Sequence, residues 1–184
     1  MRFAYADPPY LGRCSYYGHT HNDGGGRPFD GRCWNDVATH RLLIDWLEGE
    51  FPDGWALSAS EPSIRDLLPF TQEDVRIAPW VKTFCAFKRG IRPAYAWEPV
   101  FFRSEANPPH RPHAPPPKGG KQTTPKDFFA ARITLQKGLT GSKSVEFCAW
   151  VLDLLNVGKG DEVVDVFPGL GNMGIASRRA TEAA

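Results

Sequence analysis

Apolar and polar positions along the chain change their period several times, and each change predicts a switch between strand and helix. Phe3-Ala4-Tyr5-Ala6 is a short continuous apolar run and reads as a buried strand. From Val37 to Glu50 the apolar residues Leu42, Leu43, Trp46 and Leu47 recur at helical spacing. Phe51-Pro52-Asp53-Gly54 ends that helix, and Trp55 to Ser60 reads as the next strand. Pro62 to Leu68 suits a short helix; Val75 to Trp80, Thr83 to Phe87 and Ala94 to Phe102 suit strands. Val145 to Leu155 is an amphipathic helix with Phe147, Trp150, Val151, Leu154 and Leu155 on its apolar face. Asp161 to Phe167 reads as a central parallel strand, followed by a helix over Ile175 to Ala180. Strands alternating with helices predict an α/β fold with a mostly parallel sheet covered on both faces. Ligands of such sheets sit at the carboxyl ends of the strands.

Two of those carboxyl ends carry unusual residues. The strand at Phe3–Ala6 runs into Asp7-Pro8-Pro9-Tyr10. An acid, two prolines and an aromatic ring in one loop can handle a planar amine. The carboxylate accepts a hydrogen bond from the amino group, and a proline carbonyl accepts a second with no competing N–H of its own. The tyrosine offers a face on which a base can stack. On its own the run also suits an ordinary strand-to-loop turn, which Asp and Pro both favour.

The strand at Asp161–Phe167 runs into Pro168-Gly169-Leu170-Gly171-Asn172-Met173-Gly174, which fits G-x-G-x-x-G between a strand and a helix. Glycines there allow a tight turn, close approach of a cofactor, and close helix–strand packing. The helix N-terminus adds partial positive charge that suits an anion. A dinucleotide site needs an acidic residue ~20 positions further on. The sequence stops at Ala184, so this segment does not supply a complete NAD site.

Taken together, the two motifs resemble the amino-methyltransferase family of S-adenosylmethionine-dependent DNA methylases. Their order, D-P-P-Y first and glycine loop last, resembles the permuted β-type arrangement, and the small methylases of bacteriophages and actinobacteria in particular. Gly141-Ser142-Lys143-Ser144-Val145-Glu146-Phe147 resembles the family's segment before the cofactor strand, and Trp97-Glu98-Pro99 resembles its W-E-P strand. The resemblance implies a Rossmann-like methyltransferase sheet, permuted and minimal, lacking the two distal strands on the cofactor side. It also implies that the strand pair near Phe84 and Trp97 is antiparallel. Ser144 stands where the family commonly has proline, and Leu170 and Met173 replace small or hydroxylated residues. Either other residues, a second copy of the chain or a partner chain then complete the cofactor pocket, or the cofactor is bound weakly.

The implied reaction is methyl transfer from S-adenosylmethionine to the exocyclic N6 of adenine in DNA. Asp7 and the Pro8 carbonyl hold the amine, Pro9 fixes the turn, and Tyr10 stacks on a base flipped out of the helix. Asp165, Phe167, Gly169, Gly171, Gly174 and Lys143 are the implied cofactor residues, with Asp165 and Lys143 at its amino-acid end. Trp97 and Glu98 suit a site role, core packing or a surface cap. Cytosine N4 is a close variant of the target. A non-catalytic nucleic-acid-binding relative and an enzyme acting on RNA or protein glutamine are the alternatives.

Charge bears on the partner. Net charge is only +1, yet Lys82 to Lys143 holds twelve Lys/Arg against three acids. Such a segment suits a phosphate backbone, or is simply a solvated basic loop. Its Pro/Gly-rich stretch, Asn107 to Lys121 within a loop at about 105–127, reads as extended and polyproline-like. Arg111, Lys118, Lys121 and Lys126 are the candidate phosphate contacts, in the region where the family holds its target-recognition elements. The 184 residues, 41% hydrophobic, suit one soluble cytoplasmic domain, with no run of the ~20 apolar residues a membrane span needs. Cys14, Cys33, Cys85 and Cys148 are scattered and read as reduced thiols. Cys14, His19, His21 and Cys33 match no standard zinc spacing, and no metal is expected.

Overall fold

The computed structural model describes residues 1–13, 26–84, 90–104, 125–132 and 142–182. Among the described residues six strands and four helices follow one another: β1 (Arg2–Ala6), α1 (Val37–Glu50), β2 (Gly54–Ser58), α2 (Ile64–Leu67), β3 (Arg76–Lys82), β4 (Trp97–Ser104), β5 (Phe129–Ala131), α3 (Val145–Leu155), β6 (Glu162–Asp165) and α4 (Asn172–Glu182). Single turns of 3-10 helix, Glu61–Ser63 and Leu68–Phe70, flank α2.

The strands form one mixed sheet in the order β5-β3-β4-β2-β1-β6. β2, β1 and β6 run parallel, β3 and β5 run parallel, and β4 is antiparallel to both its neighbours. The expected α/β class is observed, as is antiparallel pairing beside Trp97, which stands opposite Val81. Pro99 and Pro79 face each other in that pair, so two residues without N–H groups share one rung of the ladder. The sheet is more mixed than the apolar pattern alone predicts. β6 is its edge strand among the described residues.

Side chains alternate across the sheet and build two cores. Phe3, Tyr5, Ala56, Trp80, Val100 and Phe102 face α3 and α4, against Phe147, Val151, Leu155, Met173 and Ala176. Ala4, Ala6, Trp55, Leu57 and Phe101 face α1, against Leu43, Ile44, Leu47 and Phe51. Period-two alternation on strands buried from both sides leaves β1 apolar throughout Phe3–Ala6. α1 starts where the Asp36 carboxylate accepts the Ala38 N–H at 3.0 Å. α3 starts where Ser144 Oγ accepts the Phe147 N–H at 3.1 Å, and ends on Asn156 at φ 58°.

Some boundaries differ from the sequence expectation. Thr83 and Phe84 form a bend, not a strand, because β3 ends at Lys82, whose N–H bonds to the Ala96 carbonyl. Cys85 to Phe87 lie outside the described residues. β4 begins at Trp97, not Ala94, and runs on to Ser104, whose hydroxyl donates to the Leu155 carbonyl at 2.8 Å. β6 ends at Asp165, because Val166 and Phe167 already bend into the glycine loop. β5 was not foreseen in the basic segment. Its Phe129 stacks on Trp150 with ring centroids 5.6 Å apart, and the Trp150 Nε1–H bonds to the Lys126 carbonyl. No helix among the described residues is long and apolar enough to cross a membrane.

Candidate active site

β1 and β6 are neighbours, with Tyr5 opposite Asp165. The D-P-P-Y loop and the glycine loop therefore leave the sheet side by side at its carboxyl end. β4 and β3 bring Glu98 and Lys82 to that same end, because β4 is antiparallel and Trp80 pairs with Glu98.

Asp7 is half-buried; Pro8, Pro9 and Tyr10 are buried. A turn follows, in which the Arg13 N–H bonds to the Tyr10 carbonyl and Gly12 takes φ +75°. Lys143, directly before the Ser144 cap of α3, reaches back into the loop. Its Nζ lies 3.0 Å from each Asp7 oxygen and 2.9 Å from the Tyr10 hydroxyl. Tyr10 in turn donates to Glu98 Oε2 at 2.7 Å, and Glu98 Oε1 is closely paired with Lys82 Nζ. Lys143 Nζ also stands 3.5 Å from Glu98 Oε2. The ring of Tyr10 faces the Lys143 ammonium at 5.2 Å. It is only 8% exposed, so in this state no open face is offered for a stacked base.

Burial and charge set the protonation of this cluster. Burial raises the Asp7 carboxyl, and the Lys143 ammonium works against it. Burial also raises Glu98, but there Lys143 and Lys82 outweigh it and hold the carboxyl below its ordinary range. The Tyr10 phenol is pushed well above its ordinary value by burial, then by Asp7 and Glu98.

The glycine loop is built for close approach. Gly169 and Gly171 hold φ of +48° and +76°, which disfavours any side chain. A Cβ on Gly171 would meet nothing within 4 Å, so the space above the loop is open. Gly174 differs from the expectation of tight packing: a Cβ there would only reach ordinary contact with the Arg178 guanidinium, at 3.7 Å. Met173 belongs to the core with α3, whereas Leu170 is exposed.

Asp165 ends β6 with one carboxylate oxygen, Oδ1, buried and without a partner. Burial pushes its carboxyl up to about 6; Asp7 adds to this, and the Phe167 backbone N–H opposes it. A buried acceptor beside an open glycine loop and the N-terminus of α4 suits a ligand with both a cationic and an anionic group. Asn172, the first residue of α4, ties this half to the other by donating from Nδ2 to the Lys143 carbonyl at 2.7 Å.

Phe167 packs against Trp34 at 5.3 Å and Phe29 at 6.1 Å between ring centroids. Arg27 Nη1 bonds to the Val166 carbonyl at 2.8 Å. A segment before α1 thus packs against Val166 and Phe167, directly before the glycine loop.

The structure brings Asp7, Pro8, Pro9, Tyr10, Lys143, Asp165, Phe167, Gly169, Gly171 and Gly174 to one end of the sheet. Arg111, Lys118 and Lys121 lie outside the described residues. Lys126 is exposed, with its ammonium 5.5 Å from the Phe128 ring. Three cations of the basic segment, Lys82, Arg103 and Lys143, are spent on internal ion pairs with Glu98, Asp74 and Asp7, not on the surface. Of the four residues weighed as a zinc pattern, only Cys33 is described, and it is exposed. Sequence reasoning missed Lys82, and it left Glu98 open between site, core and surface. A signal for Lys82 exists: strand alternation sets it on the same face as Ala78 and Trp80, both buried.

No protein-family model and no curated protein matches the chain. Among solved structures, the complex of M1.HpyAVI with SAM is 16% identical, with a TM-score of 0.54 over 97% of this chain and 77% of that one. TTHA0409 of Thermus thermophilus, named as a candidate DNA modification methylase, is 14% identical with a TM-score of 0.53 over 98% and 77%. The chain has a fold remotely similar to those of SAM-dependent DNA methyltransferases.

Proposed function

We propose that this chain is a DNA methyltransferase that uses S-adenosylmethionine and acts on an exocyclic amine, the N6 of adenine. The observation that carries the reading is the pairing of Tyr5 with Asp165. It sets the Asp7-Pro8-Pro9-Tyr10 loop beside the glycine loop, on a fold similar to that of M1.HpyAVI. In this reading the sheet is a permuted form of the fold, with β6 on its cofactor side.

The residues present fit the cofactor. Asp165 would take its ammonium on the unpartnered Oδ1, Gly169 and Gly171 would let it approach the backbone, and Phe167 would border it. Bound there, the cofactor supplies an electrophilic sulfonium methyl group. The protein's part is to make a poor nucleophile react, since the N6 lone pair is delocalised into the ring. Hydrogen bonds from N6–H to the Asp7 carboxylate and the Pro8 carbonyl favour a pyramidal nitrogen and aim its lone pair. The target base must leave the duplex to reach Asp7, and Tyr10 must turn a face toward it. DNA is the proposed partner, with Lys126 among its phosphate contacts.

The test is a mass-spectrometric nucleoside count on DNA from a methylation-deficient host expressing the chain, beside an Asp7→Ala control. N6-methyladenine in the first sample alone supports the reading. N4-methylcytosine keeps the mechanism and changes the target. No modified base in either sample would sink it in favour of a non-catalytic nucleic-acid-binding role.

A further inference from the structure

We infer that Lys143 is a positioning residue: its ammonium occupies the two Asp7 oxygens at which a target amine would bond, and holds them ionised and aimed until that amine displaces it. The inference rests on the proposed function for the word target, and on geometry for the rest. An ammonium and an exocyclic amine are both N–H donors, and Asp7 accepts from Lys143 on both oxygens at 3.0 Å. The resemblance implies a place for Lys143 at the amino-acid end of the cofactor; its Nζ lies against the D-P-P-Y loop.

The exchange has somewhere to go. Lys143 already bonds to the Tyr10 hydroxyl at 2.9 Å and lies 3.5 Å from Glu98 Oε2. Releasing Asp7 therefore lets the ammonium close on Glu98 while it stays paired, so no buried cation is stranded. Lys82 holds the other oxygen of Glu98 and leaves Oε2 to the Tyr10–Lys143 side.

Asp7 needs such a partner. Among the described residues, the ionisable groups that face it are Tyr5 on β1, Tyr10 in its own loop, Glu98 on β4, Asp165 on β6, Cys148 on α3, and Lys143. Lys143 is the cation among them, with Lys82 one step behind Glu98. Burial and two neighbouring carboxylates all favour the protonated form of Asp7, in which one oxygen carries the proton and no longer accepts from an amine.

The test reads Asp7 directly, by carbon-13 carboxyl NMR of the full chain over a pH series. Lys143→Met should move the Asp7 midpoint upward, and Lys143→Arg should return it toward wild type. Should Lys143→Met fail to fold, Lys143→Gln keeps an N–H donor without the charge and gives the same comparison. An Asp7 midpoint that does not move when the charge is removed would overturn the inference. In methyl transfer, Lys143→Met should lose about 10- to 100-fold at neutral pH and recover as the pH rises. A protein whose Asp7 titrates in this way yet transfers no methyl group counts against the proposed function and leaves the Lys143–Asp7 pairing standing.

Discussion

Tyr5 and Asp165 stand opposite each other on neighbouring parallel strands, although 160 positions separate them in sequence. The Val166 N–H continues the ladder by bonding to the Tyr5 carbonyl at 2.8 Å. Two residues beyond Tyr5 the chain delivers Asp7; four beyond Asp165 it delivers Gly169. Each side of the candidate site is therefore fixed by the other's strand.

Asp165→Asn should separate stability from binding. The folded carboxyl sits at about 6, above its ordinary 3.8, so the native state holds the proton more tightly than the unfolded chain does. Stability then falls as pH rises from about 4 through about 6, and is lowest above that window. Removing the charge should add about 1 kcal/mol at pH 8 after allowance for solvent screening, or ~2–4 °C in thermal melting. S-adenosylmethionine binding, followed by calorimetry, should weaken in the same variant. In the wild type, binding should tighten between pH 5 and about 7 as Asp165 ionises.

Glycine substitutions should behave in opposite ways at two positions. Gly171→Asp enters open space at φ +76°, so it should cost only about 1 kcal/mol of stability while abolishing cofactor binding through its charge. Gly54→Ala should be a folding mutant, because its Cβ would lie 2.8 Å from the Arg103 carbonyl oxygen and 3.0 Å from the Phe3 ring. A loss of more than about 2 kcal/mol in urea unfolding is expected there. Equal costs at the two positions would contradict this picture.

Glu98→Gln should flatten the acid limb of stability. Lys143 and Lys82 hold the native carboxyl below its ordinary 4.5, so its contribution is present above that pH and is lost as pH falls through the folded value. The variant leaves two cations facing a neutral amide. Destabilisation of about 3 kcal/mol is expected at pH 7, shrinking toward the acid end, as read by denaturant titration at several pH values.

Ser144→Ala should cost about 1 kcal/mol by removing the cap on the Phe147 N–H. Ser144 replaces the proline common in the resembled family, and its cap bond gives that departure a purpose. A variant as stable as wild type would show the cap to be idle.

Much of this was legible from the chain itself. Val37–Glu50 and Val145–Leu155 are helices with the bounds their apolar spacing predicts, because in both a capping side chain stands directly before the first turn. The two loops were legible because each follows directly on a short apolar run with a fixed local pattern, Asp7-Pro8-Pro9-Tyr10 and the glycines Gly169, Gly171 and Gly174. The Lys82–Glu98–Tyr10–Lys143 cluster was not, since it joins a strand, a second strand, a loop and a helix cap that no local period relates. β5 was hidden for a similar reason: three residues show too little alternation, and what holds Phe129 is a ring on α3.

Trp34 lies edge-on to Phe167 and is itself buried. Its indole is thus an optical reporter set against the residue that leads into the glycine loop. Any molecule that shifts Phe167 should change the emission of Trp34, and Trp34→Phe should silence that change. Occupancy of the loop could then be followed in solution without a label, before a substrate is known.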